Sequence, residues 1–546
     1  MGAALQRKPI TTMRIPIFRS LLAAIFLLVL LVVLFKQDTS SFSTRILHSS
    51  FQKPTAVHGQ HRQNTPHPAQ IPSFGNGKYD MDCKADAAHL QKIRDKYRLA
   101  DKFQYMKRFV RFNRTEGLER KRMTHVQQKL LPDGATFKTI QLNNNEVDND
   151  NVCYEPIDVP VPASGLPSTA NASDFTFGVS TTYKRFMDSS KSPIKEWIFW
   201  LTDSHGNSNG GKLLLMLLDA TDEQLQEVAS LLGDVGIDAD VYHSDSRLEM
   251  AVRYLTLVPT LYMHPDTPKK KWLVTCDDDT FFPSMHALLD QFNKFDHNRE
   301  MYVGTLSEDV GAIERHGSQA FGGGGVFLSV PMAKKITELY DSCTTPAKIR
   351  EADSGWGPQG DIILRKCIYE NTETRLTTVW ALWQLDILGH PSGFYEWGIK
   401  PLSLHHYRGG GWHEARPSQV AKLALTCGED CSFMRFQFED DFIVSGYSIA
   451  HYPYGITFDT DQMEGTVHAA PQDRGYNLDF KFGPQRSSLL KTGRKIAWEL
   501  QESEVRSDGS ILQTYTRQKD DERWVTSNGR AMSNIDGVIE LVWIPA

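Results

Sequence analysis

An apolar run that ends in three consecutive carboxylates constrains this chain more than any other feature. Residues 272–282 read Trp-Leu-Val-Thr-Cys-Asp-Asp-Asp-Thr-Phe-Phe, which predicts a buried strand that delivers Asp277, Asp278 and Asp279 to the edge of a sheet. Three neighbouring anions there repel one another and lose hydration, and a bound divalent cation would offset both effects. Oxygen ligands favour Mg²⁺ or Mn²⁺, which often bridge carboxylates to a substrate's phosphates. A solvated acidic turn is the alternative.

The N-terminus predicts a membrane anchor. Leu21–Phe35 is an uninterrupted apolar stretch, four basic residues precede it, and the first acidic residue of the chain is Asp38. This charge bias predicts a cytoplasmic tail over 1–14, a transmembrane anchor over 15–36 and a lumenal remainder, in a single-pass type II arrangement. A cleaved signal peptide is the alternative, although no small-x-small cleavage site follows the apolar stretch.

Seven cysteines suit an oxidising, lumenal compartment, and their wide spacing argues against a structural zinc site. The odd count leaves one thiol unpaired, for which Cys276 in the predicted buried strand is the candidate. Sequence does not determine the connectivity; the pairings we expect are Cys343–Cys367, Cys427–Cys431 and Cys83–Cys153. Asn113 and Asn171 begin glycosylation sequences that fit the same compartment.

Composition divides the rest of the chain into four segments. Residues 37–80 are rich in Ser, Thr, Gln, His and Pro and predict a flexible stem. A lead-in segment, 81–172, contains a charged stretch, His89–Phe112, that predicts a helix. In 173–430 strands alternate with helices, which predicts an α/β fold with a mainly parallel sheet flanked by helices. Short aromatic and β-branched runs in 431–546 predict a smaller β-rich region.

The net charge of −6 over 546 residues offers no attraction for nucleic acid. No extended basic patch interleaved with aromatic residues occurs in the sequence. Nucleic-acid binding is therefore excluded as a function class.

A run of four glycines, within Phe321–Ser329, follows the acidic triplet by about forty residues. Glycines let the backbone approach a ligand closely, so Gly323 and Gly324 are candidates for the floor of a sugar or nucleotide site. The spacing matches neither a dinucleotide fingerprint nor a phosphate loop. An ordinary glycine bulge remains the alternative.

Asp361 stands after a turn rich in Gly and Pro and directly before an apolar helical run. A carboxylate in the first turn of a helix has an adequate structural role, because it stabilises the helix N-terminus. If its side chain faces a cleft, it becomes a candidate general base.

Two adjacent histidines, His405 and His406, follow a short apolar run. Alternation along a strand places them on opposite faces, so at most one of them reaches a metal. A histidine satisfied within the core is the alternative.

These motifs in this order resemble the Fringe-like glycosyltransferases, a group that includes the core β1,3-galactosyltransferases. The resemblance covers about residues 173–430 and is strongest to a Fringe-related branch. It implies a GT-A-type fold, a UDP-sugar donor, Mn²⁺ with Mg²⁺ as the alternative, and inversion at the anomeric carbon. The implied roles are metal ligation by Asp279 and His405, donor binding by Asp277 and Asp278, catalysis as base by Asp361, nucleoside contact by Asp203, and proximity to the uracil for Thr181 and Thr182. Gly360 and Arg365 depart from the family pattern. These two departures concern the expected acceptor site and not the donor site.

The expected function is transfer of a hexose or N-acetylhexosamine from a UDP-sugar to a hydroxyl of a glycan or glycoprotein. With the anchor, the resemblance implies a Golgi membrane protein with a lumenal catalytic domain; the endoplasmic reticulum is the alternative. A non-catalytic, membrane-anchored glycan-binding or scaffold protein is the rival reading, and the retained Asp361 and acidic triplet count against it. A phosphohydrolase with two metals would need more ligands than the sequence offers.

Overall fold

Two large β-sheets, one of eight strands and one of ten, carry the fold. The computed structural model describes residues 55–58, 81–142, 153–405, 415–468 and 478–545. The predicted tail and anchor lie outside these residues, as does His406. Among the helices of the described ranges, none is long and apolar enough to cross a membrane.

The strands are numbered in chain order. The first eleven are β1 (Ala56–His58), β2 (Lys102–Thr115), β3 (Thr124–Val126), β4 (Lys138–Gln141), β5 (Ile157–Pro162), β6 (Phe175–Thr182), β7 (Lys212–Leu218), β8 (Ala239–His243), β9 (Trp272–Cys276), β10 (Tyr302–Gly304) and β11 (Val326–Ser329). The others are β12 (Leu376–Thr378), β13 (Leu382–Trp383), β14 (Leu388–Gly389), β15 (Ser403–Leu404), β16 (Arg435–Phe438), β17 (Phe442–Ser445), β18 (Ser448–His451), β19 (Val467–His468), β20 (Ile496–Val505), β21 (Ile511–Arg517) and β22 (Asp536–Ile544).

The α-helices of the described ranges are mostly short. They are α1 (Ala87–Tyr97), α2 (Tyr183–Met187), α3 (Ile194–Leu201), α4 (Asp222–Asp234), α5 (Met250–Tyr262), α6 (Met285–Phe292), α7 (Val310–His316), α8 (Val330–Cys343), α9 (Pro346–Glu351), α10 (Gly360–Asn371), α11 (Ser392–Tyr395), α12 (Pro417–Ala421), α13 (Ala424–Cys427) and α14 (Asp479–Phe482). The glycine run forms a 3₁₀ turn over Gly322–Gly324.

The eight-stranded sheet has the order β1-β8-β7-β6-β9-β11-β10-β12. Strands β8, β7, β6 and β9 are parallel, whereas β11 runs antiparallel to both β9 and β10. Every residue of β9 is buried, as expected for a strand covered on both faces. The predicted α/β class is therefore confirmed, with a mixed sheet, and the acidic triplet follows the carboxyl end of a central strand.

The ten-stranded sheet joins the lead-in segment to the C-terminal region. Its order is β3-β16-β17-β18-β20-β21-β22-β2-β4, and β5 also pairs with β2. The two segments that the sequence analysis separated thus form one β-rich unit. The predicted helix His89–Phe112 is wrong beyond Tyr97: Arg98 ends α1 in the left-handed conformation, and the chain then enters the fourteen-residue strand β2. Within the predicted flexible stem, β1 pairs with β8.

The chain turns back into the core directly after the acidic triplet. Phe281 and Phe282 are fully buried, and Phe282 packs in an aromatic cluster against Phe177, Trp200 and Phe327. Burying each of these rings stabilises the fold by roughly 2 kcal/mol or more. The triplet is therefore held between two buried segments, which limits its movement.

Three disulfides form in the pairings expected from sequence: Cys83–Cys153, Cys343–Cys367 and Cys427–Cys431. The second connects the end of α8 to α10, the helix that begins with Gly360 and Asp361. Cys276 is a free, buried thiol, as predicted. The disulfide framework is confirmed.

Candidate active site

The segment that carries His405 is joined to the acidic triplet by backbone hydrogen bonds. Phe281 and Leu404 form an antiparallel bridge, in which each amide donates to the other's carbonyl at 2.8 Å. His405 follows Leu404 directly, so its imidazole reaches the triplet. Its Nε2 atom lies 3.1 Å from Asp277 Oδ2 and 3.2 Å from Asp279 Oδ1. The structure thus brings together two carboxylates and one imidazole from segments more than 120 residues apart in sequence.

A backbone carbonyl fixes the orientation of the imidazole. His405 Nδ1 lies 3.1 Å from the carbonyl oxygen of Gln384, so a proton on Nδ1 is donated there and Nε2 is directed toward the carboxylates. Burial would lower the pKa of His405, but Asp279 and Asp277 outweigh it and hold the pKa well above its usual value. Sequence reasoning missed Gln384, because a backbone acceptor leaves no signal in residue type.

The three side chains fit a hard divalent cation. Ligand atoms of Asp277, Asp279 and His405 all lie within 4.8 Å of one another. Two carboxylate oxygens and one imidazole nitrogen suit Mn²⁺ and Mg²⁺. The glycine run leaves room for this arrangement, because a Cβ atom on Gly323 would lie 2.2 Å from the His405 ring. Thr280 Oγ1 donates to the Gly323 carbonyl at 2.9 Å and ties the run to the triplet.

Asp278, the middle residue of the triplet, has a different environment. Its Oδ2 atom accepts hydrogen bonds from Thr181 Oγ1 and Arg185 Nε, both at 2.6 Å, and its Oδ1 atom accepts one from Arg185 Nη2 at 2.8 Å. Arg185 lies in α2, which begins at Tyr183, and the side chain of Thr182 caps this helix by accepting from the Arg185 amide. Asp278 therefore holds the end of β6 and the following helix in place. Arg185 was not singled out by the sequence analysis.

Asp361 lies in the first turn of α10, and its Oδ2 atom accepts from the Gly322 amide at 3.0 Å. Burial raises the pKa of Asp361 to about 7, and the charge of Asp277 adds to the rise, whereas hydrogen bonds from Gly322 and Tyr254 oppose it. A carboxylate with this pKa both accepts and releases a proton near neutrality. It can serve as a general base.

The departures at Gly360 and Arg365 have local causes. A Cβ atom on Gly360 would lie 2.5 Å from the Tyr254 ring, so no larger residue fits there without movement of that tyrosine. Arg365 donates to Gln319 Oε1 and to the carbonyl of His316, both at 3.3 Å. Arg365 therefore secures the segment after α7 to α10.

One cavity of about 510 Å³ connects these groups. Asp277, His405 and Asp361 line it, together with Thr181, Thr182 and Gly323 from the predicted donor site. Asp278, Asp279 and Gly324 are not part of the lining. The Gly324 amide donates to Gln384 Oε1 at 2.9 Å. The volume is in the range of pockets that hold a small ligand.

Asp203 does not line this cavity, and its contact with a nucleoside stays a prediction. Its Oδ1 atom accepts from the amides of His205 at 2.7 Å and Asn207 at 3.0 Å, and its Oδ2 atom accepts from the Asn207 side chain. An aspartate followed by Gly- and Asn-rich sequence commonly closes its own turn in this way. The local hydrogen bonds account for Asp203 without a ligand.

Part of the sequence is similar to a known glycosyltransferase. The radical fringe β-1,3-N-acetylglucosaminyltransferase of Xenopus laevis is 30% identical over 151 residues, a match that covers 24% of this chain and 42% of that protein. The match thus spans less than half of this relative.

Two solved structures show weak likenesses. Mouse xyloside xylosyltransferase 1 in its apo form has 12% identity and a TM-score of 0.25, over 37% of this chain and 85% of that chain. The mannosyltransferase PcManGT from Pyrobaculum calidifontis, in complex with GDP-Man and Mn²⁺, has 11% identity and a TM-score of 0.24, over 39% and 57%. At these TM-scores neither likeness carries an argument.

The family model described as Fringe-like matches residues 208–390. This range includes β9, the acidic triplet, the glycine run and Asp361, and ends before His405. The chain therefore carries a Fringe-like domain over residues 208–390.

Proposed function

We propose that this protein is a metal-dependent glycosyltransferase with a GT-A-type catalytic domain. It transfers a hexose or N-acetylhexosamine from a UDP-sugar to a hydroxyl of a glycan or glycoprotein, with inversion. One observation carries the proposal: within and beside a Fringe-like domain, two members of a three-residue cation site, Asp277 and His405, line the same cavity as a carboxylate with a pKa of about 7. The N-terminal apolar stretch and the disulfides support a lumenal location, which we propose to be the Golgi.

In this proposal Asp277, Asp279 and His405 hold the divalent cation. The bound ion supplies positive charge that stabilises the diphosphate leaving group. The hydrogen bond from His405 Nδ1 to Gln384 keeps the ring from turning, which preserves the geometry of the site before any ligand arrives. Asp277 thus joins the cation site, in addition to its predicted place beside the donor.

Asp361 acts as the base. Its carboxylate takes the proton of the acceptor hydroxyl while the hydroxyl oxygen attacks the anomeric carbon from the face opposite the leaving group. The Gly322 amide bonded to Oδ2 fixes the direction of the carboxylate. Thr181, Thr182 and Gly323 contact the donor from the cavity wall, and Asp278 positions Thr181 through their hydrogen bond.

The test is release of UDP by purified full-length protein from a panel of UDP-sugars, with Mn²⁺ or with a chelator. We expect release only with metal, and a loss of at least a hundredfold in Asp279→Asn, because that change removes a ligand charge. Asp203→Asn is the matched control, since this aspartate lies outside the cavity, and it should retain full activity. Glycan binding without metal-dependent UDP binding would instead support the non-catalytic scaffold.

A further inference from the structure

We propose that Lys481, in the C-terminal β-rich region, is a positioning residue of the cation site. Lys481 and Glu308 together hold residues 384–386 so that the Gln384 carbonyl orients His405. The part of this inference that concerns the metal rests on the proposed function. It gives residues beyond the Fringe-like segment a defined role in the chemistry of the cleft.

The first contact is a buried ion pair between the two regions. Lys481 Nζ lies 2.8 Å from Glu308 Oε1, and the side chains are 1% and 0% exposed. Nζ also donates to Thr305 Oγ1 at 3.0 Å and to the carbonyl of Leu382 at 2.9 Å, and it lies 4.4 Å from the centroid of the Trp383 ring. The ammonium group is thus surrounded by acceptors and by a π face, which compensates for its lost hydration.

Glu308 connects Lys481 to the backbone beside the cation site. Its carboxylate accepts hydrogen bonds from the amides of Gln384 at 3.1 Å, Leu385 at 2.5 Å and Asp386 at 3.2 Å. Leu385 has a φ angle of 63°, a conformation that is unfavourable for a leucine. Three charge-assisted hydrogen bonds to consecutive amides stabilise this turn against relaxation.

Gln384 completes the connection to His405. Its carbonyl accepts from His405 Nδ1 at 3.1 Å, and its side-chain oxygen accepts from the Gly324 amide at 2.9 Å. If the turn relaxes, the carbonyl moves and the imidazole loses the partner that fixes its orientation. Loss of such an outer partner lowers metal affinity by about 10- to 100-fold in known metal sites.

The sequence neighbours of Lys481 support the same arrangement. Phe482 stacks on Trp383 with a centroid distance of 5.6 Å and an interplanar angle of 11°. Trp383 belongs to β13, which pairs in parallel with β15, the strand that leads directly to His405. Lys481 and Phe482, two residues of the short helix α14, therefore both pack on the segment that carries the carbonyl partner of His405.

The experiment compares Lys481→Met with a matched control, Lys495→Met, in the full-length protein. Lys495 is a fully buried lysine of the same β-rich region, paired with Glu396 and Glu464, with no hydrogen bond to residues 384–386. Two readouts are measured on folded protein: Mn²⁺ affinity by electron paramagnetic resonance, and amide hydrogen exchange of residues 382–386. Should Lys481→Met not accumulate as folded protein, the double variant with Glu308→Gln, which leaves no unpaired buried charge, takes its place.

We expect Lys481→Met to weaken Mn²⁺ binding by about tenfold or more and to speed exchange at 384–386, while Lys495→Met changes neither. Unchanged exchange and affinity in the Lys481 variant would overturn the inference, as would equal losses in the control. If wild-type protein binds no Mn²⁺, the proposed function fails, and the exchange readout alone then decides whether Lys481 holds the turn.

Discussion

Buried carboxylates beside the cleft and beside the ten-stranded sheet have opposite electrostatic surroundings. Asp361 is buried near another carboxylate, Asp277, and its pKa is raised to about 7. Burial would likewise raise the pKa of Glu464 and Glu499, but Lys495 and Arg486 lower that of Glu464 to about 2, and His390 and Arg523 do the same for Glu499. Burial alone therefore does not set the protonation state; the neighbouring charge does.

The difference in neighbouring charge separates carboxylates that stabilise the fold from carboxylates that are candidates for binding a ligand. In the β-rich unit Glu464 is paired with Lys495, and Glu499 is paired with Arg523. Basic side chains of the protein itself therefore balance the charge of these two acids on folding. In the cleft, Asp277 and Asp279 share the imidazole of His405, and Arg185 Nη2 lies 3.5 Å from Asp279 Oδ2. Ligand atoms of the two aspartates and the histidine nevertheless converge on a point that suits a divalent ion. Clustered like charges that persist in a folded protein are typical of functional sites.

Removing the carboxylate of Asp361 should produce the largest effect. Asp361→Asn is expected to lower transfer by about 100- to 10,000-fold, because general base catalysis contributes that much, while UDP binding is retained. Turnover with a chosen UDP-sugar and titration of UDP in the presence of Mn²⁺ would measure the two effects separately. Equal loss of both would show that Asp361 serves binding or folding instead.

Breaking a buried pair in the β-rich unit should affect stability and not chemistry. Lys495→Met leaves Glu396 and Glu464 without their shared cation, at a cost of about 3–5 kcal/mol in the free energy of unfolding. Urea unfolding measures this, and turnover per folded molecule should stay at the wild-type value. The exposed pair Lys129–Asp133 is the control, and Lys129→Met should leave the free energy of unfolding close to the wild-type value.

Filling the space beside His405 should weaken the cation site. In Gly323→Ala the new Cβ atom would meet the imidazole at 2.2 Å, so the ring or the glycine run must move. We expect Mn²⁺ affinity to fall by about tenfold, measured by titration calorimetry. Gly233→Ala is the matched control, because nothing lies within 4 Å of its Cβ position, and it should leave the affinity unchanged. A wild-type affinity in Gly323→Ala would contradict the placement of His405 as a ligand.

The smallest expected effect is a shift in the pH dependence of transfer. The ionised form of Asp361 is the active base, so the rate should fall by about tenfold for each pH unit below its pKa. The pKa of about 7 includes the charge of Asp277, which a bound cation would neutralise, so the acid limb with saturating metal should lie below pH 7. Profiles of kcat/KM at two Mn²⁺ concentrations test this, and a limb that moves upward with metal would contradict it.

The raised pKa also has a consequence for stability, with a definite sign. Because the folded pKa of Asp361 exceeds its usual value, stability is present at low pH and is lost as pH rises through about 7. In metal-free protein, Asp361→Asn should therefore raise the melting temperature at pH above 7 more than at acidic pH. This sharpens the contrast with Glu464, whose lowered pKa gives stability that is lost on acidification.

Local patterns predicted the central part of the site. An apolar strand, a carboxylate triplet and two phenylalanines lie next to one another in sequence, so burial and chain reversal follow from adjacent residues. The motif order pointed to His405, which the structure places beside the triplet, whereas His406 lies outside the described residues. Metal ligation by one of the two histidines stays a prediction. The odd cysteine count predicted one free thiol, and the expected disulfide pairings are present, although sequence alone does not determine connectivity.

Roles that depend on distant partners could not be predicted. Arg185 bonds Asp278 across 93 residues, and nothing in the residues around Arg185 indicates that partner. The error at His89–Phe112 has the same origin: β2 is charged along its length and becomes a strand because β22 pairs with it, as in the hydrogen bond from Tyr105 to Glu540 across 435 residues. The nucleoside contact of Asp203 stays a prediction; in the structure its carboxylate accepts hydrogen bonds within its own loop.

The position of β22 bears on the order in which the protein is made. This strand lies between β21 and β2 and pairs with β2 over nine residues, yet it is synthesised after all the other strands of the described residues. Until β22 is synthesised, the edge of β2 that binds it is unpaired and can pair with other chains. A premature stop codon before Asp536 would release a chain with two unpaired strand edges, those of β21 and β2. We expect this product to aggregate, although it contains every residue of the cleft.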